Sequence, residues 1–140
     1  MTLPFPSAEW VAAYGDAINA SESYRQASTE WTHGSVALVV KRQPEIGVAE
    51  DVGIWLELDR GDCRAAKVVS LEQADRAPFV ISGDYARWKQ VLRRELGPIA
   101  GIMQRKLTLK GPLPIVVRFV KSAEALVQAA ASVPTRFLDE

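Results

Sequence analysis

The stretch "VGIWLELDRGDCRAAKVVS", residues 52–70, contains two β-rich runs joined by a short turn at Arg60-Gly61-Asp62. In the first run, apolar side chains recur at every second position, which is the period of a strand that buries one face. One face carries Ile54, Leu56 and Leu58, and the other, partly wet face carries Gly53, Trp55, Glu57 and Asp59. The pattern predicts an antiparallel hairpin of residues 52–59 and 63–70.

A further β-rich run, "SVALVVKR" at residues 35–42, precedes the hairpin. The loop between them, "QPEIGVAED" at residues 43–51, contains Pro44 and Gly47, which interrupt regular structure. The three runs together predict an antiparallel meander.

Helical spacing dominates the segment before the meander, about residues 7–31. Ser7 is a candidate N-cap before apolar residues at helical spacing, and Ser21 is a second candidate cap. The short polar side chains of Asn19 and Ser21 compete for the backbone, so we expect a helix break there.

Strand and helix patterns alternate after the meander. "PFVIS" at residues 78–82 predicts a fourth strand, Asp84 a helix start, and Gly97-Pro98 the end of that helix and the start of a short one. In "GIMQRKLTLKG", residues 101–111, Leu107 and Leu109 point one way and the polar side chains between them the other, which predicts a fifth strand.

The last segment, from Pro112 onward, predicts one amphipathic helix whose apolar stripe is Val116, Phe119, Val120, Ala123, Leu126, Val127 and Ala130. The element order therefore indicates an α+β fold. We expect a single five-stranded, mainly antiparallel (mixed) sheet with helices largely on one face, and one domain over residues 1–140.

Composition excludes several classes of protein. Lys and Arg (17) balance Asp and Glu (17), so no overall field favours nucleic acid. "MTLPFPSAEW" lacks the charge and apolar core of a signal peptide, and the most apolar stretch, residues 114–133, carries charges that a membrane span would reject. With a single cysteine, Cys63, the chain fits a reducing compartment, and we expect a cytoplasmic protein.

Residues that could carry catalysis are few. His33 is the only histidine, and neither a nucleophile nor an orienting partner accompanies it. One cysteine and one histidine are too few to form a zinc site. The sequence has no glycine-rich phosphate-binding loop. The acidic pair Asp139-Glu140 is interpreted as solvated charge. We therefore expect no enzymatic activity, no cofactor and no metal.

Large apolar residues come from almost every predicted element, so many should converge where helices meet the sheet. Sequence periodicity does not separate a solid core from a ligand cavity.

The cations in "KQVLRREL" and "QRKLTLK" also have two interpretations, a solvated face or a weak patch for an anionic lipid headgroup.

Three segments together resemble the sterol carrier protein type 2 (SCP-2) domain family, especially its small stand-alone prokaryotic members. They are "VGIWLELDRGDCRAAKVV", "APFVISGDYARWKQVL" and "GIMQRKLTLKGPL", and "VPTRF" at 133–137 is similar to the ending of the stand-alone proteins. The resemblance covers about residues 34–130. It implies a sheet covered by helices around a hydrophobic tunnel that binds sterols, fatty acyl chains or other lipids without catalysis.

The resemblance also implies which side chains line that tunnel. The expected ligand-binding residues are Trp31, Trp55, Phe79, Trp88, Ile102, Met103, Gln104, Leu107, Leu109, Phe119 and Leu126. Arg105 stands where the family usually has glycine, so we expect the backbone there to avoid a conformation that only glycine adopts.

Three functional hypotheses follow. The first is a lipid-binding module that takes an apolar small molecule for carriage, storage or sensing, with at most transient contact with a membrane surface and no nucleic-acid partner. The second is an interaction module whose aromatic residues form a homodimer or partner interface. The third, an enzyme using Asp84, Tyr85 or Glu95, is the weakest because no two groups are spaced to have opposed pKa values.

Overall fold

The structure, a computed structural model, describes residues 1–140. Its strands are β1 (Leu3–Phe5), β2 (Val36–Lys41), β3 (Val52–Asp59), β4 (Asp62–Val69), β5 (Phe79–Asp84), β6 (Thr108–Lys110) and β7 (Thr135–Phe137). Its α-helices are α1 (Ala8–Ala20), α2 (Glu22–Ala27), α3 (Leu71–Ala74), α4 (Tyr85–Leu92), α5 (Pro98–Met103), α6 (Leu113–Arg118) and α7 (Val120–Ser132).

The five predicted strands are β2 to β6, and they form one mixed sheet in the order β4-β3-β2-β5-β6. The meander is confirmed, since β2 pairs antiparallel with β3 and β3 with β4. The chain then crosses over through α3 and places β5 parallel to β2, and β6 closes the other edge antiparallel to β5. The predicted α+β class and mixed sheet are therefore confirmed.

One face of the sheet carries the main core. Leu38 pairs with Ile54 on one side and with Ile81 on the other, and Ile81 pairs with Leu109, so these four side chains form a row across the sheet. Cross-strand partners point to the same face. Helices α1 and α7 lie over this face, as predicted.

The opposite face carries a smaller core beneath α3. Its members are Ala37, Val39, Ala74, Ala77 and Val80, with Trp55 and Val69 packed against them. Trp55 therefore lies on the side of the sheet away from α1 and α7, as the alternation in β3 predicts.

The predicted N-terminal caps are confirmed. The Ser7 Oγ accepts from Trp10 N and the Ser21 Oγ accepts from Tyr24 N, both at 3.1 Å. The helical segment is shorter than expected, however, because α2 ends at Ala27. Trp31 follows the turn at residues 28–30, and its indole N–H donates to the carbonyl of Gly34 at 2.9 Å.

The predicted final helix is two helices, which corrects the expectation of one. Phe119, between α6 and α7, has φ −101° and ψ 36°, outside the helical region. Its ring packs on Trp31 with centroids 5.0 Å apart. Burial of this aromatic side chain accompanies the break, and the expected apolar stripe continues along α7 to Ala130.

A two-stranded parallel ribbon was not predicted. Phe5 of β1 pairs with Phe137 of β7, which joins the two ends of the described chain. Proline on either side of Phe5 hides this short strand from pattern analysis.

Candidate functional site

An apolar cavity of about 80 Å³ lies between the sheet and the helices. Hydrophobic side chains make up all but one of its 18 lining residues. The strands contribute Val36, Leu38, Val40, Ile54, Leu56 and Ile81, the segments 85–107 contribute Trp88, Val91, Leu92, Pro98 and Leu107, and the remaining lining residues are Phe5, Trp10, Tyr14, Ala123, Leu126, Val127 and Ala130. We call this space the first cavity.

The polar atoms of its aromatic side chains are all hydrogen-bonded to protein atoms. The Tyr14 hydroxyl donates to the carbonyl of Leu126 at 3.0 Å, the Trp88 indole to the carbonyl of Val39 at 2.9 Å, and the Trp10 indole to the hydroxyl of Thr135 at 2.8 Å. Burial, more than any nearby charge, raises the pKa of Tyr14 far above its usual range, so this group stays neutral. The first cavity therefore offers a guest no free hydrogen-bonding or charged group.

A second cavity of about 60 Å³ adjoins the first. Val36, Ile81, Ala123 and Leu126 line both, so the two spaces share a wall. The aromatic rings of Trp31, Phe79 and Phe119 line the second cavity, together with Tyr24, Leu58, Val116 and Ser122. The pair makes one elongated apolar region beneath α7.

Two buried serines at the second cavity, of which Ser122 lines it, bond to each other. The Ser28 hydroxyl donates to the Ser122 hydroxyl at 2.7 Å, and Ser122 donates to the carbonyl of Ala27 at 3.0 Å. Burial raises the pKa of Tyr24 nearby to about 12. These contacts join α2 to α7 and give both serine hydroxyls a partner within the protein.

Leu107 forms the wall between the first cavity and the surface. A Cβ on Gly83 would lie 2.6 Å from Leu107 Cδ2, and one on Gly101 would lie 2.8 Å from Leu107 Cδ1. The two glycines thus make room for this side chain. Outside it lies a groove of about 380 Å³, lined by Ile102, Arg105, Leu107, Thr108, Leu109, Gly111 and Leu113.

Arg105 has φ 61°, which corrects the expectation that its backbone avoids the left-handed region. It follows the end of α5, where Arg105 N donates to the carbonyl of Ile102 and Lys106 N donates to that of Gly101. This is the Schellman arrangement, in which glycine is usual at the left-handed position. Arginine there costs about 1–2 kcal/mol of backbone strain.

The ribbon of β1 and β7 closes the other end of the first cavity, where Phe5 lines the wall. The Tyr85 hydroxyl donates to the carbonyl of Phe5 at 2.8 Å and accepts from Leu138 N at 2.9 Å. One hydroxyl therefore links both strands of the ribbon to α4.

Asp139 and Glu140 are exposed, as expected, but both also form ion pairs. Lys89 contacts Asp139 at 3.0 Å and Glu140 at 2.6 Å, and Arg93 also pairs with Glu140. Both cations lie over the Phe137 ring, 5.2 and 5.1 Å from its centroid. The cationic face of α4 is thus largely neutralised by residues 139–140.

The predicted ligand-binding residues divide into four groups. Trp88, Leu107 and Leu126 line the first cavity; Trp31, Phe79, Phe119 and again Leu126 line the second. Ile102 and Leu109 line the outer groove with Leu107. Trp55 lies on the opposite face of the sheet, Gln104 is exposed, and Met103 is 63% exposed, so these three lie outside the cavities.

Pattern analysis had already indicated several lining residues that the predicted site omits. Ala123, Val127 and Ala130 belong to the stripe predicted for the last helix, and Ile54 and Leu56 to the buried face of β3. Phe5 had no such signal, because β1 was not predicted.

Few other side chains in this molecule could take part in catalysis or bind a metal. His33 packs edge-on against Trp31 and Phe119, with ring centroids 5.2 and 5.6 Å apart. Cys63 is buried, and burial raises its pKa to about 11. No cluster of three metal-binding side chains is present.

None of the helices has the length and apolar content to cross a bilayer.

Comparison with known proteins identifies the family. Residues 16–124 match the sequence model of the SCP-2 sterol transfer family, and the chain belongs to this family. Among curated proteins, none matches the sequence.

Two solved structures are similar in both sequence and fold. The crystal structure of sterol carrier protein 2 is 36% identical, covers 91% of this chain and 97% of its own, and superposes with a TM-score of 0.81. The solution structure of the conserved hypothetical protein TT1886 from Thermus thermophilus is 35% identical, with coverage of 93% and 90% and a TM-score of 0.81. UbiJ-SCP2, a ubiquinone synthesis protein, is 18% identical, covers 89% of this chain and 95% of its own, and shares the fold at a TM-score of 0.55.

Proposed function

We propose that the chain binds one apolar lipid between the sheet and α7 and carries it without chemical change. The observation that carries this proposal is the pair of adjoining cavities whose walls are apolar and whose buried polar atoms are already bonded. Such a space favours a guest by burial of apolar surface alone. Membership of the SCP-2 family supports the same class of ligand.

Small residues on α7 explain why space remains there. Ala123 and Ala130 face the cavities from α7, and an alanine leaves unfilled the volume that a larger side chain would occupy. Sites for drug-sized ligands are commonly about 300–1,000 Å³, well above the two cavities in this structure. A lipid would therefore move α7 away from the sheet.

The other covering helix, α1, is held directly against the sheet. A Cβ on Gly15 of α1 would lie 2.7 Å from the Ala66 Cβ of β4, so the helix and strand are in close contact. Asn19, also on α1, bonds to both backbone groups of Cys63. We therefore assign the movement that admits a ligand to α7 and not to α1.

A cavity-filling variant tests the proposal. Ala123 lines both cavities, so the larger side chain in Ala123→Leu should occupy their shared region. We expect hexadecanol binding to weaken by tenfold or more, which corresponds to the loss of burial of about two methylene groups of the lipid. Ala131 is exposed on the same helix, and Ala131→Leu is the matched control that should bind normally. Binding is measured by displacement of the neutral fluorescent probe N-phenyl-1-naphthylamine, beside a thermal melt of each variant.

The outcomes separate the hypotheses. Equal hexadecanol binding by the two variants would place the ligand elsewhere. A wild-type protein that binds neither probe nor hexadecanol and sediments as a dimer would favour the interaction module instead.

A further inference from the structure

We propose that Arg105 binds the carboxylate of a fatty acid in the outer groove, while the acyl chain passes Leu107 into the first cavity. The inference rests on the proposed function and adds a headgroup site to it. It is carried by the position of one unpaired cation at an apolar groove that shares a wall with the lipid cavity.

The polar end of an amphiphile bound in the first cavity must lie outside that cavity. Every buried polar side-chain atom has a hydrogen-bond partner, and the walls of the first cavity carry no charge. A carboxylate buried there would lose its hydration without compensation. An amphiphile that fills the cavity must therefore leave its polar end at an opening.

The outer groove is the surface beside the first cavity that offers a charge, and the Leu107 side chain, which separates the two, would have to move aside for an acyl chain to pass. Leu107 is the one residue that lines both the groove and the first cavity. Ile102, Leu109 and Leu113 give the groove an apolar floor, and Arg105 is the only charged residue in its lining. An acyl chain lying along this floor would have its carboxylate beside the guanidinium.

Arg105 is free to bind an anion. Its side chain makes no ion pair and no hydrogen bond within the protein, in contrast to Lys89, Arg93 and Lys110, which pair with acidic residues. A guanidinium presents two parallel N–H groups that match one carboxylate. Arg105 is the only cation in the lining of this groove, so a single carboxylate matches its charge better than a phosphate monoester, which carries about two negative charges.

A positive φ does not distinguish Arg105, because Arg60 and Arg94 also adopt the left-handed region, which glycine suits better. What distinguishes Arg105 from these two residues is its place in the lining of the outer groove.

Arg94 provides a matched control. It has φ 62°, occupies the same Schellman position after α4, is exposed, and makes no ion pair, but it does not line the groove. Arg105→Gly and Arg94→Gly should therefore both relieve backbone strain and raise the melting temperature, and only the first should affect a bound carboxylate.

The experiment measures the affinities of hexadecanoate and hexadecanol for the wild type and both variants by displacement of N-phenyl-1-naphthylamine. Arg105→Gly should weaken hexadecanoate binding by about three- to tenfold and change hexadecanol binding by less than about twofold. Arg94→Gly should change neither. In the wild type, the preference for the acid should decline as salt screens the charge.

Two results would overturn the inference while leaving the proposed function intact. One is an equal loss of acid and alcohol binding in Arg105→Gly, and the other is the same selective loss in Arg94→Gly. A wild type that binds neither ligand would instead refute the proposed function, and the headgroup site with it.

Discussion

Asn19 and Cys63 are joined by two hydrogen bonds of 2.8 Å each: the Asn19 amide donates to the Cys63 carbonyl, and the Asn19 carbonyl oxygen accepts from the Cys63 amide. The side chain thus acts as a strand partner for the first residues of β4. It fixes the end of α1 against the sheet, in keeping with the proposal that α7 is the helix that moves to admit a ligand.

Replacing Asn19 should therefore destabilise the protein. In Asn19→Ala, two part-buried backbone groups lose their partners, and we expect the free energy of unfolding to fall by about 1–3 kcal/mol. The measurement is urea denaturation. Gln26→Ala, which removes an exposed amide bonded only to Glu22, is the control and should lie within about 0.5 kcal/mol of wild type. Equal effects of the two changes would show that the Asn19 bonds do not stabilise α1.

Gly15 tests the close contact between α1 and β4. Alanine in a helix interior is about 1 kcal/mol better than glycine by propensity, but here its Cβ would meet that of Ala66, and overpacking costs about 1–3 kcal/mol. Gly15→Ala should therefore destabilise the wild type. In an Ala66→Gly background the contact is absent, and the same change should stabilise. Additive effects in this double-mutant cycle, measured by denaturation, would contradict the contact.

The contacts of residues 139–140 should depend on pH. The hydrogen bond from Lys89, together with the one from Arg93, lowers the pKa of Glu140 below its ordinary value of 4.5. A carboxyl whose pKa is lowered in the folded state stabilises that state above the ordinary pKa, and the contribution is lost as pH falls through the lowered pKa. We expect the amide signals of Phe137 and Leu138 to shift in an NMR titration from about pH 5 to about pH 3, where this carboxyl takes up its proton.

Two variants control that titration. Glu140→Gln removes the carboxylate, so its spectrum at neutral pH should already show the shifted signals and the acid transition should be reduced. Glu124→Gln removes an exposed acid that makes no ion pair and should titrate like the wild type. A transition that survives in Glu140→Gln would assign the pH dependence to another group.

Trp55 and Trp88 should differ in their effect on ligand binding. Trp88 lines the first cavity, whereas Trp55 packs beneath α3 on the opposite face. Trp55→Phe should leave hexadecanol affinity unchanged, and Trp88→Phe should alter it, because the change reshapes the cavity wall. Probe displacement on both variants measures this. A loss of affinity confined to Trp55→Phe would place the ligand on the other side of the sheet.

The example of Trp55 shows how far periodicity could define the site. The alternation in residues 52–59 places it opposite Ile54 and Leu56, and the structure confirms that arrangement. Its inclusion among the expected ligand-binding residues rested on the family resemblance and not on this alternation. Applied consistently, the same alternation would have excluded it.

Other features depend on contacts distant in sequence, which no local pattern reveals. Phe5 pairs with Phe137 across almost the whole chain, and the break at Phe119 accompanies its packing on Trp31. The ion pairs of Asp139 and Glu140 likewise become visible only when β7 is placed beside α4. At Arg105, local sequence favoured an ordinary backbone, but the Schellman bonds after α5 hold the left-handed conformation.

Intermolecular nuclear Overhauser effects between ¹³C-labelled hexadecanol and the protein methyl groups test the central claim most directly. A lipid bound between the sheet and α7 should give contacts to methyls of Val36, Ile81, Leu126 and Ala130, which line the cavities, and none to Val39 or Ala74 beneath α3. Contacts restricted to exposed methyls such as those of Met103 or Val117, with none from Ile81 or Leu126, would contradict an internal lipid site.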